Sequence, residues 1–190
     1  MFEKAEDLIR LRDVVDHFGG KLDPRHAAWI TSRMSNFACW LRYCNGDGAT
    51  GITHNDISMD TIFICPEHHT AMVIGGWWYS VPIGARMQRV QTGRTVSVLP
   101  RSVAASKMAE SKTDLSLIRL LGREILGDAT GMSFIKDSSI PAPFSTWVRE
   151  APIGRPVDDY KRWQEVVISS FGSRRFTKLD LTHSDVYKDK

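Results

Sequence analysis

Two short apolar segments within residues 51–80 constrain the fold of this 190-residue chain more than any other feature. Residues 62–64 (Ile-Phe-Ile) and 72–74 (Met-Val-Ile) have the length and composition of β-strands, and the polar turn at residues 66–69 separates them. Helical patterns occupy most of the remaining sequence, so these strands have few partners with which to form a larger sheet. We therefore expect a mainly helical α+β fold with one small β-hairpin.

Apolar residues recur at helical spacing in several other segments. The second of them also carries a start signal, because Asp23 can act as the N-cap and Pro24 suits the first helical position. The predicted helices cover residues 5–17, 24–45, 113–126, 144–149 and 157–171. Between them, residues 82–112 lack sustained periodicity. This organisation predicts a single domain over residues 1–181, followed by a polar tail at residues 182–190.

The composition is that of an ordinary globular protein, with 42% hydrophobic and 25% charged residues. A net charge of +3 is too small to indicate nucleic-acid binding by itself. The three cysteines, Cys39, Cys44 and Cys65, include no CxxC pair, which favours reduced thiols over a disulfide framework. The sequence has no apolar run of the ~18 residues that a membrane span needs and no signal-peptide pattern. We therefore expect a soluble, cytoplasmic protein without a membrane partner.

A His-x-Asp motif precedes the predicted hairpin. His54 and Asp56 are followed by an apolar residue and then by Thr61, and the glycine pair Gly75-Gly76 follows the second strand. This order resembles the catalytic loop of protein kinases, His-Arg-Asp-Leu-x-x-x-Asn, with its later Asp-Phe-Gly. In that family the first Asp orients or deprotonates the acceptor hydroxyl, whereas the Asn and the second Asp hold magnesium. Here Thr61 stands at the Asn position, and one of the two glycines stands at the metal-binding Asp position.

Other segments resemble kinase elements in the same order. Asp114 resembles the buried aspartate that accepts backbone N–H groups of the catalytic loop, and Arg155 resembles the arginine of the last kinase subdomain. The resemblance spans about residues 8–167. It implies a kinase C-terminal lobe whose N-terminal lobe is absent, together with the Gly-rich loop and the strand lysine that bind ATP phosphates.

Arg101 departs from this pattern. It stands where the kinase Ala-Pro-Glu has its glutamate, which would pair with the arginine at the position of Arg155. Two arginines cannot form that pair. Either Arg155 finds another carboxylate, for which Glu110, Glu150 and Asp158 are available, or the segment packs differently.

The resemblance implies a degenerate, pseudokinase-like protein that retains the residues that shape the lobe and lacks those that hold Mg·ATP. The predicted structural residues are His54, Asp56, Asp114 and Arg155. We expect no cofactor or metal, and a role as a protein-interaction or structural module, for example in a larger assembly such as a phage particle, which would place the protein in a virion. Two alternatives remain. One is a phosphotransferase that uses Asp56 with a lobe from another chain, and the other is a basic nucleic-acid-binding protein.

Two kinds of residue are candidates for an interface. By the kinase resemblance, Trp77 and Trp78 lie near the surface that the missing lobe would cover, which favours contact with a protein partner. Residues 69–109 contain no acidic residue, so Arg86, Arg89 and Arg94 are candidates for contact with an acidic partner or a nucleic-acid backbone. A solvated basic loop is the alternative interpretation of these arginines.

A further group of metal-ligating residue types, Cys65, Glu67, His68 and His69, lies in the predicted hairpin turn. Adjacent histidines point in diverging directions, and the sequence supplies no second cluster of ligands. We therefore interpret this stretch as a turn with exposed polar side chains.

Overall fold

The fold is mainly helical, with about half of the residues in helices and a few short strands. The computed structural model describes residues 7–44, 51–87, 94, 97–173 and 177–188. Within these residues the helices are α1 (Leu11–His17), α2 (Pro24–Tyr43), α3 (Arg101–Ser106), α4 (Ser111–Ile125), α5 (Ala142–Arg149), α6 (Pro156–Phe171) and α7 (His183–Val186). Short 3₁₀ helices cover Trp77–Tyr79 and Ser133–Ile135. The α+β class expected from the sequence is confirmed.

The strands form two small antiparallel sheets. They are β1 (Ile9–Arg10), β2 (Ile52–Thr53), β3 (Ile62–Cys65), β4 (Thr70–Val73) and β5 (Val81–Pro82). One sheet has the order β1-β3-β4, and the other pairs β2 with β5. The β3–β4 pair is the hairpin predicted from the two apolar segments.

The long helices α2 and α4 form the centre of the core. Asp23 caps α2 by accepting the backbone N–H of Arg25, as its position before Pro24 predicts. Gly122 allows α4 to approach its neighbours closely, because a Cβ there would lie 3.0 Å from Val148 in α5 and 3.2 Å from Thr31 in α2. The aromatic residues Phe144, Trp147 and Trp163 are buried where α5 packs on α6.

Three predicted boundaries differ from the structure. The first helix begins at Leu11 instead of near residue 5, because Ile9 and Arg10 pair with Ile64 and Phe63 of β3. Residues 82–112 contain the helix α3, which is too short to give a periodic pattern. Residues 182–188, expected to belong to a polar tail, contain α7, whose N-terminus has a capping box between Thr182 and Asp185.

A buried ion pair joins α4 to α6. The Arg119 guanidinium donates to the Asp159 carboxylate over 2.6 Å, and both side chains are almost fully inaccessible to solvent. The guanidinium carbon also lies 3.3 Å from the centroid of the Trp147 ring, in a cation–π contact. Burial lowers the pKa of Arg119 to about 10 although Asp159 opposes the shift, and burial raises the pKa of Asp159. Each of the two buried groups therefore relies on the opposite charge of the other to remain ionised.

Arg155, expected to be part of the structural framework, pairs at the surface with Asp158, one of the three carboxylates available to it. Arg101 is also exposed, so the two guanidinium groups are not forced together in the interior. Among the described residues, none of the helices is both long enough and apolar enough to cross a membrane.

The buried pair gives a stability prediction. Arg119→Met should lower the free energy of unfolding by about 3–5 kcal/mol, because it leaves the Asp159 carboxylate buried without its cation. Arg119→Met combined with Asp159→Leu should recover most of that loss. Urea denaturation would measure both effects, with Arg155→Ala as a surface control that leaves the midpoint unchanged. An Arg119→Met protein as stable as the wild type would contradict this account of the pair.

Candidate functional site

The candidate site is the loop of residues 54–61, here called the central loop, which connects β2 to β3. Asp114, in the first turn of α4, fixes its beginning. One carboxylate oxygen of Asp114 accepts the backbone N–H of His54 at 2.8 Å, and the other accepts that of Asn55 at 2.8 Å. The resemblance to kinases predicts hydrogen bonds of this kind for the aspartate at this position.

Burial raises the pKa of Asp114 to about 6, against the effect of the two N–H groups, which stabilise the charged carboxylate. Removing such a buried acceptor costs about 1–3 kcal/mol for each donor left without a partner. The carboxylate is therefore a structural group of the loop, and its two oxygens are already engaged.

Asn55 makes the turn that Asp114 requires. Its φ of 65° lies in the left-handed region, which asparagine tolerates better than most residues. Its side-chain amide donates to the carbonyl of Tyr79 at 2.9 Å, which connects the loop to the Trp77–Tyr79 helix. The middle residue of the motif thus has a conformational role.

His54 is buried below the glycine pair. Its Nε2 lies 3.0 Å from the carbonyl oxygen of Gly75, and its Nδ1 accepts the backbone N–H of Asp56 at 3.2 Å. This pattern requires the neutral imidazole with its proton on Nε2. Burial lowers the pKa of His54 to about 4, which also favours the neutral ring. His54 therefore acts as a hydrogen-bonded spacer between the central loop and the glycine pair.

Asp56 is half-buried, and its carboxylate accepts no hydrogen bond from the part of the chain that the structure describes. Desolvation raises its pKa, the charge of Arg94 lowers it, and Asp60 raises it. The carboxylate faces Gly76, where a Cβ would lie 2.8 Å from Asp56 Oδ2. Asp56 is thus the one carboxylate of the central loop that could accept a proton from a ligand, since Asp60 is paired with Arg12.

Thr61 has a structural role within the same loop. Its hydroxyl donates to the Asp56 carbonyl at 2.7 Å and accepts the backbone N–H of Ser58 at 3.0 Å. The Gly75 carbonyl is engaged by His54, and neither glycine of the pair has a side chain. Among the described residues, no group of three metal-ligating side chains occurs around Asp56.

The interface candidates differ in their surroundings. Trp78 is 74% exposed, and Trp77 is 37% exposed while its ring packs on His54 at 4.9 Å and on Phe37 at 5.8 Å. Phe37 also stacks on Trp40, which is 56% exposed. We call Phe37, Trp40, Trp77 and Trp78 the aromatic patch.

The three arginine candidates are not equivalent. Arg94 makes two hydrogen bonds with the Glu124 carboxylate, at 2.8 and 2.6 Å, and a third with the carbonyl of Ile57 at 3.1 Å. Arg86 is exposed and forms a β-bridge with Met108. Arg89 lies outside the described residues. The sequence did not indicate the Arg94–Glu124 pair, because nothing in the local pattern relates residues so far apart along the chain.

Gly76→Ala tests whether the glycine pair determines the shape of the site. Gly76 has a φ of +82°, and an added Cβ would meet Asp56 Oδ2 and His54 Cε1, each at 2.8 Å. Gly84→Ala is a matched control, since Gly84 has a φ of +84° but no atom within 4 Å of the added Cβ. The backbone strain of about 1–2 kcal/mol should be common to both variants. Urea denaturation should therefore show a larger loss for Gly76→Ala, and equal losses would mean that the contacts with Asp56 and His54 do not matter.

No model of a known protein family matches the sequence, and no curated protein sequence matches it significantly. The function is therefore inferred from the residues of the central loop and their surroundings.

Proposed function

We propose that this protein is a non-catalytic, kinase-like lobe that acts as a protein-interaction or structural module. The observation that carries the proposal is the division of roles in the central loop. Asp114 and His54 hold the loop in shape, whereas the positions that would hold magnesium in a kinase are occupied by Thr61 and the glycine pair. The loop keeps its conformation but has no metal-binding side chain at the positions that hold magnesium in kinases. This combination favours a scaffold over an enzyme.

The chemistry of phosphoryl transfer supports this choice. Such transfer depends on metal ions that neutralise the phosphates and on a lysine that holds them. The hydroxyl of Thr61 is committed to Asp56 and Ser58, and glycine cannot supply a metal ligand. Of the described residues at the kinase-like positions of the central loop, Asp56 would have to serve both as base and as metal ligand.

A phosphotransferase that uses Asp56 is the second candidate. It is favoured by the Asp56 carboxylate, which is half-buried and accepts no hydrogen bond from the described residues. Desolvation raises the pKa of this group, which suits a general base better than a fully solvated carboxylate does. This candidate also requires a nucleotide-binding lobe, which the 190 residues do not supply.

Nucleic-acid binding is less well supported. Of the three arginines that suggested it, Arg94 is neutralised by Glu124 within the protein. Arg86 and Arg101 are exposed and Arg89 lies outside the described residues, so the part of the chain that the structure describes shows little of the concentrated charge that phosphate backbones require.

The aromatic patch is the surface that we propose for the partner. Exposed tryptophans are costly in water and are enriched where proteins bind each other. Trp77 packs directly on His54, so the patch has a fixed position relative to the central loop. We propose that a partner protein with an apolar surface covers the patch, as a component of a larger assembly such as a virus particle would.

Site-specific cross-linking tests this proposal. The photoreactive residue benzoylphenylalanine would replace Trp78 in cells that naturally produce the protein, and Met132, which is 66% exposed and outside the patch, would be the control position. We expect one partner protein to be cross-linked in a fixed ratio from position 78 and not from position 132, and Trp77→Ala should reduce the yield. Equal yields from both positions, or no product from position 78, would argue against the aromatic patch as an interface.

A further inference from the structure

We propose that Asp7, Cys65 and His68 bind a Zn²⁺ ion, with His183 as the fourth protein ligand. One ligand atom from each of the first three residues lies within 4.8 Å of the other two. The sequence showed Cys65, Glu67, His68 and His69 in a hairpin turn, without a second group of ligands, a pattern that we interpret from sequence as a turn with exposed polar side chains. The fold supplies that second group from both ends of the chain.

Strand pairing brings Asp7 to the hairpin. The register pairs Ile9 of β1 with Ile64 of β3, so Asp7 and Leu8 lie alongside the end of β3 and the turn that follows it. Cys65 is the last residue of β3, and His68 lies in the turn, which the bond from His69 N to the Pro66 carbonyl closes. His69, by contrast, stacks on Trp29 with ring centroids 4.7 Å apart, so the two histidines have different roles.

The set of donor atoms fits zinc. Thiolate, imidazole and carboxylate are the ligands that Zn²⁺ takes in proteins, at about 2.0–2.3 Å, which places neighbouring donor atoms of a tetrahedral site roughly 3.3–3.8 Å apart. The three atoms, which lie within 4.8 Å of one another, must therefore approach each other by at most about 1.5 Å. Asp7 and His68 are exposed and can rotate, whereas Cys65 is buried and fixed. A sulfur ligand also disfavours Mg²⁺ and Ca²⁺, which prefer oxygen.

His183 lines a cavity that two of the three proposed ligands, Asp7 and Cys65, also line. This cavity, of about 350 Å³, is lined by Asp7, Cys65, Pro66, Glu67, Leu181, Thr182, His183 and Ser184. His183 is the first residue of α7, which the capping box of Thr182 and Asp185 holds in place. The centroid of its ring lies 4.7 Å from that of Tyr187, so a rotation of the His183 side chain towards the cavity would bring the imidazole to the fourth position.

A metal ion here would connect three segments that are distant in sequence: the start of β1, the β3–β4 turn and α7. This metal-mediated cross-link would stabilise the folded state by the binding free energy of the ion, because the unfolded chain offers no preformed site. The proposal does not depend on the proposed function, because it uses none of the residues of the central loop.

Cobalt titration of the purified chain tests the proposal. Co²⁺ reports a cysteine ligand through an intense thiolate-to-cobalt charge-transfer band and a tetrahedral site through strong visible bands. We expect one Co²⁺ per chain, displaced by Zn²⁺, and a higher melting temperature with Zn²⁺ than with a chelator.

Variants identify the ligands. Cys65→Ser should abolish the charge-transfer band, whereas Cys39→Ala, which removes a half-buried thiol of α2, should leave it intact. His68→Ala and His183→Ala should each weaken Co²⁺ binding at least ten-fold; both residues lie outside the buried core, so these variants should still fold. A band that survives Cys65→Ser, or the absence of any thiolate band in the wild type, would overturn the proposal. Unchanged affinity in His183→Ala would remove His183 from the ligand set.

Discussion

The rest of the site depends on one buried carboxylate. Asp114 accepts two consecutive backbone N–H groups, those of His54 and Asn55, and so connects helix α4 to the central loop. The interaction requires Asn55 to adopt a left-handed conformation, and it directs the His54 ring towards the glycine pair. Because the carboxylate is fully buried, a lost bond could not be replaced by water, and the loop conformation is therefore strongly specified.

The same framework positions the aromatic patch. His54 bonds to the Gly75 carbonyl, the left-handed Gly76 begins the 3₁₀ helix that carries Trp77 and Trp78, and Asn55 donates to its last residue, Tyr79. Hydrogen bonds therefore connect the central loop to the part of the patch that carries Trp77 and Trp78. A motif that serves chemistry in kinases would, in the function proposed for this chain, serve to present a surface.

The sequence predicted those elements that are determined by residues close together in the chain. Asp23 and Pro24 marked the start of α2, and the two apolar segments predicted the β3–β4 hairpin. Features that depend on distant residues were missed. The pattern places Ile9 and Arg10 in a helix because their pairing with β3 is not visible in their own sequence. The missed helix α7 is a different case, since its capping box of Thr182 and Asp185 is a local signal. The buried Arg119–Asp159 pair left no signal, since charged residues in helices usually face solvent.

Calorimetric titration of the purified chain with ATP, with and without Mg²⁺, tests the central claim most directly. The Thr61 hydroxyl is hydrogen-bonded within the loop, and the two glycines have no side chain that could bind a metal. We therefore predict no magnesium-dependent heat of binding. Binding of ATP that requires Mg²⁺ would contradict the account. It would mean that Asp56, with groups outside the described residues or on another chain, forms a working metal site.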